Sequence, residues 1–181
     1  MKDLSLHILD LFQNSVSAGS TIIKLKIDER PSEDKYSLLL TDNGKGMDAD
    51  TAEHATDPFF TTRTTRKVGL GLPLIKQNAE RTGGFMKINS QIGIGTEVAV
   101  EFSHSHIDRL PAGDIAGVIA LTTSSYPNID FIYIHSTTKG TFVFESNEIK
   151  STLGNIPISN PQVIAFMKDL ISDNLAKIKA T

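Results

Sequence analysis

The densest run of chemically useful residues is DNGKGM, residues 42–47, which follows the strand-like KYSLLL and sets an acid and an amide before two glycines around a lysine. A plain surface turn needs only one or two such residues. Gly44 and Gly46 permit φ > 0 and let a ligand approach the main chain closely, and Asp42, held at a strand end, can accept a hydrogen bond from an amine. A second glycine cluster, VGLGLP (68–73), sits just before a helix-like run. Unpaired N–H groups and the helix dipole favour phosphate there. Together the two clusters describe two halves of a nucleotide pocket, whereas singly each is a common way to shape a turn. No GxxxxGK[ST] is present, and no GxGxxG follows a strand, so neither a Walker-type phosphate loop nor a dinucleotide site accounts for them. A different nucleotide fold is required.

Hydropathy periods indicate the frame that must hold these residues. Leu4, Leu6, Ile8, Leu9, Leu11, Phe12 and Val16 are spaced for one buried face of a helix ending at SAGS. TIIKLKID and KYSLLLTD read as strands joined by a charged turn containing Pro31, which predicts an antiparallel pair. DADTAEHAT suggests a short helix, and LPLIKQNAERTGG a longer one stopped by its glycine pair. FMKINSQ and TEVAVEF are two more strands, separated by IGIG. The order helix, two strands, loop, helix, two strands predicts an α+β fold, a two-layer α/β sandwich with helices on one face of a mixed sheet.

The polar SHSHIDRLPAGD marks a change of composition and a boundary. The expected division is a first domain over 1–104 and a small C-terminal α/β extension over 105–181. The extension holds a helix (DIAGVIALTTSS), two strands (DFIYIHS and GTFVFES, turning at TTKG) and a last helix in NPQVIAFMKDLISDNLAKI. At about 75 residues it is small for independent folding and is expected to pack against the first part.

Composition excludes several classes of function. With 181 residues, 39% of them hydrophobic, the chain can bury a core as one domain with an appendage. No apolar run approaches the roughly 18 residues of a membrane span, and the start, MKDLSLHILDLFQNS, is amphipathic and acidic where a secretory signal would be basic and then apolar. The expectation is a cytoplasmic protein without a membrane partner. The absence of cysteine rules out disulfides, thiolate metal sites and a cysteine nucleophile. A net charge of -3 offers no general attraction to nucleic acid. Arg63, Arg66 and Lys67 in TTRTTRK form one local basic cluster, of the kind a solvated loop commonly carries.

Five runs, in order, resemble the motifs of the GHKL superfamily, the ATP-binding fold of gyrase-type topoisomerases, the heat-shock chaperone, histidine kinases and mismatch-repair ATPases. LDLFQNSVSA is similar to its N box, DNGKGM to its first glycine box and DPFFTTR to its F box. VGLGLPLIKQNAERTGG is similar to the second glycine box with its helix, and GIGTEVAVEF to the closing segment. These runs cover about residues 4 to 102. The wording PFFTT and the short connection to the second glycine box look most like the catalytic domain of sensor histidine kinases.

The resemblance implies ATP and Mg²⁺ as ligands, with roles residue by residue. Asp42 would accept the adenine exocyclic amine and so reject guanine, whose carbonyl oxygen would face the carboxylate. Gly44, Gly46 and Met47 would lie along the base, and Thr96 would complete the adenine contact directly or through water. Asn14 would offer its amide oxygen to Mg²⁺, a hard ion that bridges phosphates. Gly69, Leu70, Gly71 and Leu72 would present backbone N–H groups to the phosphates, and Phe60, Thr61, Thr62 and Arg63 belong to the loop that would close over them.

Asp10 is the implied catalytic residue. GHKL hydrolases usually carry a Glu four residues before the N-box Asn, and here that place holds Asp10, one methylene shorter. A carboxylate drawn back by roughly 1 Å can cost about a hundredfold in rate. Slow hydrolysis, phosphorylation of a partner in trans and a non-catalytic ATP-dependent switch within a complex all stay open. The kinase reading expects an acceptor in trans, because no dimerising hairpin with a phosphoacceptor histidine precedes the N box. His7 flanks the apolar face of the first helix and reads as structural. His104 and His106 in HSH, with Asp108 nearby, could form a metal site at alternate spacing, and a solvated linker explains them as well. His54 and His135 are isolated. The extension carries no assignable chemistry, and its strand pair or last helix could dock a partner or a second copy.

Overall fold

Asp3 opens the first helix by accepting a hydrogen bond from Leu6 N at 3.1 Å, satisfying a first-turn donor that has no partner within the helix. The computed structural model describes residues 2–57 and 71–181. Helix α1 (Leu4–Ser17) buries Leu4, Ile8, Leu11, Phe12 and Ser15, and it stops where Gly19 takes φ 76°. Leu6 was expected on that face but remains 40% exposed.

Strands β1 (Ile22–Arg30) and β2 (Lys35–Asp42) follow, then the short α2 (Ala49–His54). Helix α3 (Gly71–Arg81), β3 (Phe85–Gln91) and β4 (Gly95–Ser103) complete the first half. Beyond it lie α4 (Ile115–Ser125), β5 (Asp130–Thr137), β6 (Gly140–Glu145), α5 (Ser146–Leu153) and α6 (Pro161–Lys177). Helix α5 has no counterpart in the sequence reading, because only Ile149 and Leu153 of SNEIKSTL are apolar.

All six strands form one sheet in the order β3-β4-β2-β1-β5-β6. It is mixed, since β5 runs parallel to β1 while β1–β2, β2–β4, β3–β4 and β5–β6 are antiparallel. The register puts Leu25 opposite Leu40 and Tyr133, and Ile27 opposite Leu38 and His135. These side chains share one buried face with Val98, Val100, Phe102 and Phe131, and α1, α3, α4 and α6 pack there. The other face carries Lys24, Lys26, Leu39, Ala99 and Ile134, none of them buried. Residues 105–181 therefore add two strands to the same sheet and share its core. Phe12 of α1 meets Phe131 of β5 edge to face at 5.6 Å, a favourable aromatic geometry.

Candidate functional site

Asp42 ends β2 where the sheet meets the α1–β1 turn. Its Oδ2 accepts from Ser15 Oγ at 2.6 Å, and its Oδ1 accepts from Gly44 N at 2.9 Å. A carboxylate has about four acceptor positions. Two are used, so the group is fixed in direction while keeping capacity for a donor from outside. Ser15, 2% exposed, was not singled out from the sequence; it lies one residue past Asn14 on α1, and only the tertiary contact reveals its part.

Each remaining residue of the DNGKGM turn is bonded to, or packed closely against, a neighbouring segment. Asn43 Oδ1 accepts from Thr21 N and Ile22 N, both at 2.9 Å, and its Nδ2 donates to Thr21 Oγ1 at 2.8 Å. The amide thereby ties the strand end to the α1–β1 turn. A Cβ on Gly44 would stand 2.7 Å from both Ala18 Cβ and Ser20 Oγ, so only glycine fits. Lys45 N donates to Ala18 O at 2.9 Å, and Lys45 O accepts from Gly93 N at 2.8 Å. Gly46 takes φ 67°, and a Cβ there would collide with Gln91 O. The turn is held between α1 and the β3–β4 hairpin.

That hairpin supplies the second wall. Met47 N donates to Ser90 Oγ at 2.9 Å, Ser90 Oγ lies 2.8 Å from Thr96 Oγ1, and Thr96 pairs with Asp42 across the β2–β4 ladder. The fold thus brings together Asp42, Met47 and Thr96, residues from β2, the turn after it and β4. Ser90, like Ser15, is a linking hydroxyl that no sequence motif announces.

Asp10 and Asn14 lie one turn apart on α1. A Cβ on Gly71 would collide with Asp10 Oδ2, so the Asp10 carboxylate abuts the first residue of α3, whose partly positive N-terminus favours an acid. Leu72 is partly buried against the core. Phe60, Thr61, Thr62, Arg63, Gly69 and Leu70 lie outside the described residues, as do Arg66 and Lys67. His7, three residues before Asp10, bridges α1 to α3 through Asn78 at 3.0 Å. Burial, reinforced by the positive amino terminus and opposed by Asp3, lowers its pKa from 6.5 to about 4.

The histidines beyond residue 100 have a different setting. His135 Nε2 donates to the buried Glu29 carboxylate at 2.7 Å, and His104 Nε2 lies 3.6 Å from the same group. His106 Nδ1 accepts from Asp108 N at 3.1 Å. Among the described residues no group of three acids or histidines could hold a metal ion. Glu29 pairs with Tyr36 at the far end of β1 from Ile23, the residue opposite Asp42, so this buried cluster is remote from the turn.

A family model described as "Histidine kinase-, DNA gyrase B-, and HSP90-like ATPase" matches residues 2–106. The sensor kinase CckA of Brucella abortus is 38% identical over 74 residues, 40% of this chain and 8% of that protein. The sensor histidine kinase YvrG of Bacillus subtilis is 29% identical over 97 residues, 51% of this chain and 17% of that protein. The chain thus spans less than a fifth of the length of these curated relatives. Among solved structures, the Aquifex aeolicus MutL ATPase domain complexed with ADP aligns with a TM-score of 0.50 at 15% identity, covering 75% of this chain and 60% of that one. At that identity the likeness is one of fold.

Proposed function

We propose, proceeding from the fact that this chain belongs to the histidine kinase-, DNA gyrase B- and HSP90-like ATPase family and is an ATP-binding domain of the histidine-kinase type, that it binds Mg-ATP and acts on a protein partner in trans. The observation that carries the reading is the Asp42 carboxylate, fixed by Ser15 and Gly44 with acceptor capacity to spare. An adenine amine is the kind of donor that completes such a group. Met47 and Thr96 stand beside it on the β3–β4 side. The chemistry of the donor fits the metal too: Asn14 brings an amide oxygen from α1, a hard ligand of the kind Mg²⁺ takes while keeping several waters.

Bound ATP supplies a γ-phosphoryl group for transfer. In this reading Asp10, set against Gly71, orients water or the partner's acceptor at the start of α3, and Gly71 and Leu72 contribute backbone N–H groups beside the phosphates. The partner's imidazole nitrogen or hydroxyl oxygen would bond to the γ-phosphorus and give up its proton to the Asp10 carboxylate or to water, while the bond from the β–γ bridging oxygen to the γ-phosphorus breaks and ADP leaves. A shorter acid in place of the usual Glu makes hydrolysis by water slow, which suits a kinase or an ATP-controlled switch. Cytoplasmic location also belongs to this reading; no helix among the described residues is long and apolar enough to cross a membrane.

Calorimetry with Mg-ATP tests the binding. The parent is expected to give a measurable heat of association, and Asp42→Ala to lose it while still melting cooperatively. An unchanged heat for Asp42→Ala refutes the site. Incubation with γ-labelled ATP and lysate then separates the two modes, since a labelled partner supports transfer and tight binding without label supports the switch.

A further inference from the structure

We propose that β6 is a pairing edge for a second copy of this chain, so that two six-stranded sheets join into one through an antiparallel β6–β6 contact centred on Val143. The two edges of the sheet are built differently. Edge strand β3 carries the exposed Lys87 and Asn89, and α2 packs against it; a lysine and a covering helix are common ways of blocking unwanted strand addition. Edge strand β6 reads TFVF between Gly140 and Glu145, with no proline and with Glu145, its last residue, as its one charge. Among the described residues, the backbone of Thr141–Glu145 makes ladder bonds to β5 and none to any other segment. Val143 is 48% exposed, while Phe142 and Phe144 turn toward the core.

The strand is complementary to itself in one register. A twofold axis perpendicular to the sheet through Val143 pairs Val143 with its copy, Phe142 with Phe144 and Thr141 with Glu145. Residues whose numbers sum to an even value share a face, so this pairing keeps Phe142 and Phe144 on the helical side of both sheets and Val143 on the open side. It also brings Glu145 toward the β5–β6 turn of the second copy, which carries Lys139 between Thr137 and Gly140, where opposite charges attract. Strand pairing supplies main-chain hydrogen bonds, and the alternate side chains fix the register. The Asp42 ends of the two sheets then point in opposite directions, because β6 is reversed in the second copy. Each candidate nucleotide site stays open to a third protein, and neither copy can serve as acceptor for the other within the dimer.

The chain has no cysteine, which makes single-cysteine crosslinking unambiguous. Opposed residues of an antiparallel pair have Cα atoms about 4.5–5.5 Å apart, within reach of a disulfide. Val143→Cys is expected to form a covalent dimer under mild oxidation, whereas Lys87→Cys on the other edge is expected to stay monomeric. In sedimentation experiments the parent should show a concentration-dependent species of twice the chain mass, and Val143→Asp, which opposes two carboxylates at the axis, should weaken that association at least tenfold. Circular dichroism reports whether each variant is folded, and the crosslink needs only the mild Val143→Cys change. A parent that stays monomeric at all concentrations, or Val143→Cys that crosslinks no faster than Lys87→Cys, overturns the proposal and leaves the edge to a strand from a different protein.

Discussion

Replacing His7 by glutamine removes one titration from the interior, and its effect follows from two contacts. The imidazole is 1% exposed, and its Nε2 faces Asn78 Nδ2 at 3.0 Å. An amide nitrogen only donates, so Nε2 accepts and the ring proton sits on Nδ1, which is buried without a partner. Protonation would oppose two donors. The folded pKa, about 4, lies below the ordinary 6.5, so the unfolded chain takes up the proton first as pH falls. Stability from the neutral ring is fully present above about 6.5 and drains away as pH drops toward 4. With those two values the linkage amounts to about 2 kcal/mol between pH 7 and pH 5, which in a chain of this length corresponds to a Tm change of about 4–8 °C. His7→Gln keeps an acceptor for Asn78 and has nothing to titrate. Thermal melts at pH 7 and pH 5 should therefore show the parent losing about 4–8 °C more than His7→Gln, the difference cancelling the other titrating groups. Equal losses in the two proteins would refute the burial argument.

Ser15→Ala deletes the buried donor to Asp42; a hydrogen bond to a charged group contributes about 1.5–3 kcal/mol, so the Kd for Mg-ATP measured by calorimetry should rise about tenfold or more, and an unchanged Kd would show that Ser15 does not fix the carboxylate. Glu29→Gln tests the second buried acid, which accepts from His135 Nε2, Thr181 N and Thr181 Oγ1. Burial pushes the Glu29 carboxyl upward, but the hydrogen bonds from His135 and Thr181 outweigh it and hold the group below its ordinary 4.5. Its stabilisation is thus present above about 4.5 and lost as pH falls through the lower folded value. Urea titrations should find Glu29→Gln weaker by about 1–3 kcal/mol at pH 7, with the gap closing in acid; a gap of constant size would contradict this assignment.

The elements with a clean period are legible in the sequence itself. The period of Leu4, Ile8, Leu11 and Phe12 marked α1, and the alternation of TIIKLKID and KYSLLLTD marked the antiparallel pair, because both rest on local spacing alone. What was not legible is non-local. DFIYIHS reads equally well as a strand of a separate hairpin, and nothing in its own residues says that it will lie parallel to β1. That placement follows from matching buried sets, Leu25 beside Tyr133 and Ile27 beside His135. Likewise His135 looked isolated because its partner, Glu29, is 106 residues away.

The glycines of the turn teach a related point about cause. Type and spacing mark Gly44 and Gly46 as residues that leave room for a ligand, and the direction a Cβ would take at each is occupied by protein: Ala18 and Ser20 at Gly44, Gln91 at Gly46. Gly95 repeats the pattern, since a Cβ there would collide with Asp42 O. Three glycines thus let three segments, the α1–β1 turn, the β2 end and the β3–β4 hairpin, close to backbone contact around Asp42. The missing side chains act first on the walls: Asn43 ties the strand end to the α1–β1 turn, and Met47, Ser90 and Thr96 are linked by hydrogen bonds on the hairpin side. Adding a methyl group at any of the three would therefore displace the Asp42 carboxylate before it touched a bound base, and so would disturb binding and folding stability together.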